Sequence, residues 1–463
     1  MPAPFILLIN PWIYDFAAYD LWIKPIGLLS IAGLFKKNGF GIHVIDCLDP
    51  VHPAIFENRK HTLPSRKETG CGHFFKEEIA KPVVLKEILR KYRRYGILPS
   101  VFEAELNSIP RPQAVLVTSM MTYWYPGVFH VIKMVRSLFH DVPILLGGVY
   151  ATVCPEHARH NSGADYIISG PCDLNFSKII NHIFGQSINF FEPNIFLQAD
   201  CNLLSSKKSI PILSSKGCPL KCPYCASSLL YPDFIQREPQ KVVAEIEYWV
   251  AKEGTTDFVF YDDALLINAE EHIIIILEEV LKRGISCRFH VPNGLHVRNI
   301  TEAIAELMLK TGFQTIRLGL ESSDPHLQNK TGNKVTKKEF IRAAAALKKA
   351  GFSEKEVGVY VLAGLPGQEF QSAYDTVRFV QDQGLRPYVA EYSPIPGTSL
   401  WQEAVQWSRF PIAEEPLFHN NTLLPCQWEK FTLDDLNFLK TESRKSITRP
   451  IPHFPEFLNL PNS

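Results

Sequence analysis

The sequence lacks an excess of either charge. Lysine plus arginine is 48 and aspartate plus glutamate is 48 over 463 residues. No global field therefore draws the chain to nucleic acid or to a membrane surface. It lacks a secretory leader, since MPAPFILLINPW has no basic start and its apolar run stops at Asn10-Pro11. It lacks a spanning stretch, since the run Ile273 to Leu277 is short and has Glu270, Glu271, Glu278 and Glu279 around it. It lacks a disulfide framework: of ten cysteines, three are clustered and the others scattered. Internal repeats and low-complexity segments are missing too. What is left is a soluble protein of a reducing, cytoplasmic compartment. Apolar residues make up 46%, enough for a large core and too many for disorder. The length suits two or three domains.

What stands out is the stretch Ser214 to Cys225, reading SSKGCPLKCPYC. Cys218, Cys222 and Cys225 form a C-x3-C-x2-C triplet. Thiolate is the soft ligand of iron–sulfur clusters and of zinc. Three thiolates on one loop can hold three corners of a [4Fe–4S] cubane. The fourth iron is then open to a small molecule, on the logic that makes an open position catalytic in zinc sites. Pro219 and Pro223 stiffen the loop, and Gly217 permits a turn before the first ligand. A zinc site with a distant fourth ligand, or free thiols, is the alternative.

The N-terminal third alternates strands and helices. Apolar strands are expected at Phe5–Ile9, Gly41–Asp46, Ala114–Thr118, Val142–Leu146 and Ala164–Ile168. Helices are expected at Ile26–Lys37, which stops at Asn38-Gly39, and near Val128–Phe139. This pattern predicts a doubly wound parallel sheet over residues 1–188, with ligands at the carboxyl ends of its strands. Residues 50–111 read as an insertion. It holds Cys71-Gly72-His73, a weak metal candidate. It also holds the basic run Arg90 to Tyr95, read as a solvated helix face or a fork for an anion. Thr122 to Pro126 is aromatic, suited to core packing or to stacking on a planar ligand. A helix over Phe176–Phe184 and a linker over 189–209 complete this part.

From residue 210 to 400 the period is strand, loop, helix. Six strands are expected: Pro211–Ser215, Asp257–Asp262, Ser286–Val291, Gln314–Leu320, Glu356–Ala363 and Arg386–Ser393. Five intervening helices are each followed by a glycine, at 254, 284, 312, 351 and 384, as left-handed caps should be. The polar and glycine-rich oddities fall after strands: the cysteines, Asp262-Asp263, Asn293-Gly294, Glu321-Ser322, Gly364 to Gly367, and Pro394 to Thr398. In α/β barrels chemistry sits on that rim. A scaffold without a site would scatter them, so the iron–sulfur reading gains on zinc. Residues 401–463 are rich in proline and aromatics, with a helix expected at Leu433–Lys445. They carry no legible chemistry beyond the lone Cys426.

The triplet, with Tyr224 before its last cysteine, resembles the cluster loop of the radical SAM enzymes. FYDDALL, PNGLHVR, LGLES, GLPG and PIPGT each resemble the matching segment of radical SAM enzymes with cobalamin-type N-terminal domains. The resemblance implies a partial (β/α)6 TIM-type barrel. It implies that Cys218, Cys222 and Cys225 hold a [4Fe–4S] cluster whose open iron binds S-adenosylmethionine (SAM). One electron from an external donor, of flavodoxin or ferredoxin type, then cleaves the sulfonium and yields a 5′-deoxyadenosyl radical. Residue by residue, it implies Glu321 and Ser322 at the SAM ribose or amino acid, and Asp262 near the SAM amino group or substrate. Gly364 and Gly367 would give the adenine close backbone, Asn293 would line the cavity, and Tyr224 would flank the cluster. Gln368 stands where the family often has glutamate.

PIGLLSIAGLFKKNGFGIHVID, ILLGGVYAT and ADYIISG resemble the cobalamin-binding-type domain. The Asp-x-His-x-x-Gly that supplies its lower cobalt ligand is missing, and Tyr150 stands where a histidine often does. Two outcomes stay open: cobalamin held without a lower protein ligand, with methyl transfer, or a retained scaffold over a cobalamin-independent oxidation or rearrangement. The competing class is a non-catalytic zinc-binding module. The substrate, small molecule or peptide, has no motif, and no catalytic residue is assigned.

Overall fold

Parallel strands buried on both faces read as continuous apolar runs, and FILLIN, AVLV and ILL, the central strands of the first domain, do so. The computed structural model describes residues 3–57, 64–172, 174–185 and 196–445. Strands β1 (Phe5–Asn10), β2 (Gly41–Asp46), β3 (Ala114–Val117), β4 (Ile144–Leu146) and β5 (Tyr166–Ile167) pair in parallel in the order β2-β1-β3-β4-β5. The order reverses between β1 and β3, the switch point where such sheets open a crevice. Among the described residues the longer helices flanking the sheet are α1 (Ile26–Lys37), α2 (Pro99–Ser108), α3 (Tyr125–Leu138) and α4 (Leu174–Phe184). Phe35 of α1 and Phe176 of α4 pack on one face. Phe102 and Leu106 of α2, with Val131 and Val135 of α3, pack on the other.

Two expectations need correcting here. Helix α2 lies inside the stretch 50–111 set aside as an insertion, yet it is one of the sheet's own crossover helices. Pro99 opens its first turn, and Phe102 and Leu106, four apart, face the core. The basic run is no helix either. Arg93–Tyr95 is the middle strand of a small antiparallel sheet, between Ile13–Asp15 and Lys76–Glu78. Tyrosines suit strands, and the alternation turns Arg94 inward, where it pairs with Glu77 and lies over the Trp12 ring. Arg90 lies 4.9 Å from the Phe16 ring centre and donates to Thr422 O and Oγ1 at 3.0 and 2.9 Å. The run holds segments together and offers no fork to an anion.

The second domain matches its expected period. Strands β6 (Ser209–Ile212), β7 (Asp257–Phe260), β8 (Arg288–Leu295), β9 (Phe313–Glu321), β10 (Val357–Ala363) and β11 (Arg386–Glu391) form one parallel sheet in chain order. Between them run α5 (Pro239–Glu253), α6 (Ile273–Lys282), α7 (Glu302–Lys310), α8 (Lys337–Ala350) and α9 (Phe370–Asp382). Gly254 caps α5 in the left-handed conformation, at φ 62°. A capping box of Thr336 and Glu339 starts α8. The outer side chains, such as Phe258, Phe260, Phe289 and Phe313, meet the helices in the largest core.

Inward-facing residues at the strand starts are polar. Asp257 is bonded by His290 at 2.9 Å and by Arg288 at 2.7 Å. Trp22 and Cys71, from the N-terminal domain, pack with Val259 and fill this end of the barrel. The Trp22 ring centre is 4.5 Å from that of His290. Cys71 is buried, so it belongs to packing, and Cys426 likewise sits in a core.

Past the barrel, α10 (Leu433–Glu442) lies against α9 and β11 and adds Leu436 and Leu439 to the barrel core. The segment before it reaches back to the first domain. Asn420 donates to Asp15 at 2.8 Å, His419 bonds Thr122 at 2.9 Å, and Tyr125 donates to Glu415 at 3.0 Å. Trp124 also donates to Asp15, at 2.8 Å. The aromatic run Thr122 to Pro126 thus belongs to interdomain packing. Parts of the expected linker and tail, 189–195 and 446–463, lie outside the described residues. Among the described residues no helix is long and apolar enough to cross a membrane.

Candidate active site

The cysteine loop leaves the end of β6 and stands on the carboxyl rim of the barrel. Gly217 enters it at φ 76°, and a Cβ there would sit 2.4 Å from the Asp233 carbonyl, so no other residue fits. Cys218 and Cys222 are half-buried and Cys225 is exposed. Cys225 N donates to Cys222 O at 3.0 Å, closing the turn, and Ser227 N donates to Cys225 Sγ at 3.4 Å. Burial pushes the Cys218 and Cys222 thiols up.

Two aspartates after β7 pin the two ends of this loop. Asp262 is 2% exposed and accepts from Ser214 N at 3.1 Å and from the Ser214 and Ser215 hydroxyls at 2.6 Å each. Burial pushes its carboxyl up, and those bonds hold it back. Asp263 accepts from Ser227 Oγ at 2.5 Å. Asp262, expected near a ligand, is engaged with the chain before the first cysteine. Asn293 is exposed, and its amide donates to Tyr261 O and Asp262 O at 3.0 and 3.3 Å, tying β8 to the same corner.

Glu321 ends β9 in the left-handed region, at φ 64°, where the pairing with β10 shifts register. Such an outlier on a non-glycine residue is strain that points to function. Its partner is Lys334 Nζ, at 3.2 Å. Sequence reasoning missed this lysine. Burial alone would lower Lys334, but the Glu321 charge, its hydrogen bond, and the charged forms of Cys222 and Cys218 outweigh it and push the amine up. The loop that carries Lys334 lies over the cysteines: a Cβ on Gly332 would be 3.4 Å from Cys222 Cα. Burial and the Glu321 charge push the Tyr224 phenol up. Glu321, Tyr224, Lys334 and the three cysteines therefore form one cluster.

Ser322 is fully buried and serves the fold. Its hydroxyl accepts from Asp324 N at 3.1 Å, and its carbonyl from Gln328 at 3.0 Å. At the glycine turn, a Cβ on Gly364 would meet Leu424 at 2.3 Å, and one on Gly367 the Trp407 ring at 3.1 Å. Those close approaches are to the C-terminal segment. Gln368 closes the turn, accepting from Gly364 N and Leu365 N at 2.7 and 3.1 Å and donating to Leu362 O at 3.1 Å. A glutamate could not make the last bond, which gives glutamine a structural reason at this position.

A second neighbour of the loop is a cavity of about 430 Å³ between the domains. Its walls include Ile26, Gly147, Gly148 and Ile168 at the carboxyl end of the first sheet, and Lys216 and Tyr231 flanking the cysteine loop. Among the described residues lining it there is no histidine.

The donor set fits a cubane. Each cysteine of a cubane binds a different iron, so the thiols need not converge on one point. Among the described residues no three metal-binding side chains do so. Coordination deprotonates a thiol outright, and the buried Lys334 charge offsets the negative charge this adds. The cavity fits an organic group entered from the rim. It gives a cobalt no side-chain imidazole.

Residues 212–380 match the radical SAM superfamily. The chain is 23% identical over 373 residues to an uncharacterized methyltransferase of Pyrococcus horikoshii, covering 73% of this chain and 76% of that one. It is 26% identical over 280 residues to the bacteriochlorophyllide d C-12(1)-methyltransferase of Chlorobaculum tepidum, covering 56% and 59%. Two structures of the radical SAM methyltransferase TsrM from Kitasatospora setae share the fold. The one with tryptophan and a SAM analogue gives a TM-score of 0.64 at 15% identity, over 87% of this chain and 76% of that one. The one with cobalamin and a [4Fe–4S] cluster gives 0.63 at 16%, over 88% and 80%.

Residues 212–380 form a radical SAM domain, and the chain as a whole shares the two-domain fold of the TsrM structures, one of which holds cobalamin. The cofactors of this class are a [4Fe–4S] cluster and SAM, with an external source of electrons.

Proposed function

We propose that this enzyme is a methyltransferase that uses cobalamin between its two domains. The observation that carries the reading is the cavity at the carboxyl end of the first sheet, whose far wall flanks the cysteine loop. Methyltransferase-named relatives and the TsrM fold support it. The bound groups would supply the one-electron cleavage of SAM and a carrier for the methyl group.

The chain's own residues then do the following. Cys218, Cys222 and Cys225 would hold three irons, and Asp262 and Asp263 hold the loop that carries these cysteines. Lys334 and Glu321, now paired at 3.2 Å, present one positive and one negative group to the carboxylate and amino ends of SAM. Tyr224 packs against the apolar cluster that holds Leu327 and Leu400 and would shield the loop from water. Gly147 and Gly148 would give the cavity ligand close backbone. The C-terminal segment clamps the domains and shields the rim. The electron comes from a flavodoxin- or ferredoxin-type donor, and free thiols with such a cluster require a reducing, cytoplasmic compartment. The substrate is a small molecule or peptide reached from the rim.

Anaerobic reconstitution with iron and sulfide, followed by hydroxocobalamin and gel filtration, tests this. Stoichiometric corrinoid with SAM-dependent methyl transfer is expected. A brown protein that cleaves SAM but retains no corrinoid would rule out the methyl carrier and leave an oxidation or rearrangement. A colourless protein holding one zinc would reject the whole reading.

A further inference from the structure

His296 follows β8 directly and stands on the same rim as the cysteine loop. The proposed reaction makes no use of it. It is only 6% exposed. Its Nε2 lies 3.8 Å from Cys218 Sγ. Its Nδ1 is buried and has no hydrogen-bond partner among the described residues.

A neutral imidazole carries one N–H and one bare nitrogen. With the proton on Nδ1, a buried N–H would be left unpaired, at the cost of a lost hydrogen bond. With the proton on Nε2, the N–H points at the Cys218 sulfur and Nδ1 keeps only a lone pair. The sulfur therefore sets the tautomer. Cys225 has a comparable donor in Ser227 N, at 3.4 Å. The rim thus supplies N–H groups to two of the three sulfurs.

We propose that His296 Nε2–H donates to the Cys218 sulfur once that sulfur ligates the cluster, and that this bond raises the cluster's reduction potential. The inference rests on reading Cys218 as a cluster ligand. Reduction adds negative charge that spreads onto the sulfurs. A donor aimed at one of them stabilises the reduced form more than the oxidised one, and such bonds are among the levers that set cluster potentials. His296 acts through Cys218 and is a positioning residue.

The test compares wild type with His296→Phe and His296→Leu, which lack the donor, and with His296→Gln, whose amide N–H can replace it. Each protein is reconstituted anaerobically, iron is counted, and the midpoint potential is read from visible absorbance and the EPR signal of the reduced cluster. SAM is left out. We expect full iron throughout and a tenfold shift toward the oxidised form in the Phe and Leu variants. For a one-electron couple that is about 59 mV more negative. The Gln variant should stay near wild type. Full iron with an unchanged potential in His296→Phe overturns the inference and leaves the cluster reading standing. Wild type that binds no iron overturns the cluster reading itself. Should one variant fail to fold, the other donor-free variant reads the same shift.

Discussion

Replacing Asp262 by alanine removes the acceptor of three hydrogen bonds, at 3.1, 2.6 and 2.6 Å. The donors belong to Ser214 and Ser215, at most 1% exposed. The hydroxyls can turn elsewhere, but the Ser214 amide cannot. An unpaired buried N–H costs about 1–3 kcal/mol, and each charge-assisted bond lost about 1.5–3 kcal/mol. Relief from burying a carboxyl, which burial already pushes up, offsets part of this. A net cost of about 3 kcal/mol is expected, since such terms do not add fully. For a domain of the barrel's size that lowers the thermal midpoint by about 6–12 °C. The chain from Ser215 to Cys218 loses its anchor at the same time, so iron per chain after reconstitution should fall with the midpoint. Asp262→Asn, which keeps one carbonyl oxygen and the shape, should lose less of both. The assay is thermal unfolding of the metal-free protein by circular dichroism, paired with an iron count on the reconstituted one. A wild-type midpoint and wild-type iron in Asp262→Ala would refute the anchoring argument. A wild-type midpoint with lost SAM binding would return Asp262 to ligand contact.

Three further outcomes are expected. Since burial pushes the Cys218 and Cys222 thiols up, their alkylation in the metal-free protein should keep rising with pH past about 8.5, the value of a free thiol. A plateau below that pH, by mass spectrometry, would contradict it. Burial would raise Asp257, but bonds from His290, Arg288 and Thr256 outweigh it and hold the carboxyl low. Its stabilisation is therefore complete above the unfolded value of about 3.9 and is lost as pH falls toward the depressed folded value. The gap in unfolding midpoint between wild type and Asp257→Asn should accordingly shrink with acid below about pH 4. A gap that stays constant with pH counts against the pairing. Asn420→Ala leaves buried Asp15 short of one donor, a cost of about 1–3 kcal/mol. Limited proteolysis should then cut the interdomain segment faster, and unchanged cleavage would show that this contact does not hold the domains.

The strands and helices of the barrel were legible because each is decided locally. A period of alternating runs, a glycine at each helix end and a polar residue at each strand end are all short-range signals. The cysteine loop was legible for the same reason. Lys334 was not, because only the fold lays the loop after β9 over Cys222. The signal available was its place: a lysine beside Gly332 and Asn333 on the carboxyl rim. His296 lay inside a quoted segment, but nothing in the chain says that its ring meets Cys218. The insertion was drawn too long because its helix, α2, follows a segment without period. The basic run misled because Tyr92 and Tyr95, which favour a strand, were outvoted by four cations.

The contacts of residues 415–422 with Asp15, Thr122 and Tyr125 also bear on how the molecule is made. Nearly three hundred residues separate the two sides of this clasp, by the spans of 290 and 297 between its partners. During synthesis the first domain emerges and can fold well before its latch exists, since domains fold as units from the N-terminus. Asp15 has its Trp124 donor from the start but lacks Asn420 until residues 415–422 leave the ribosome. The order of assembly follows: two separate lobes first, each with its own core, and the shared chamber between them closed last. A cofactor too bulky to thread the finished clasp has its widest opening in that interval.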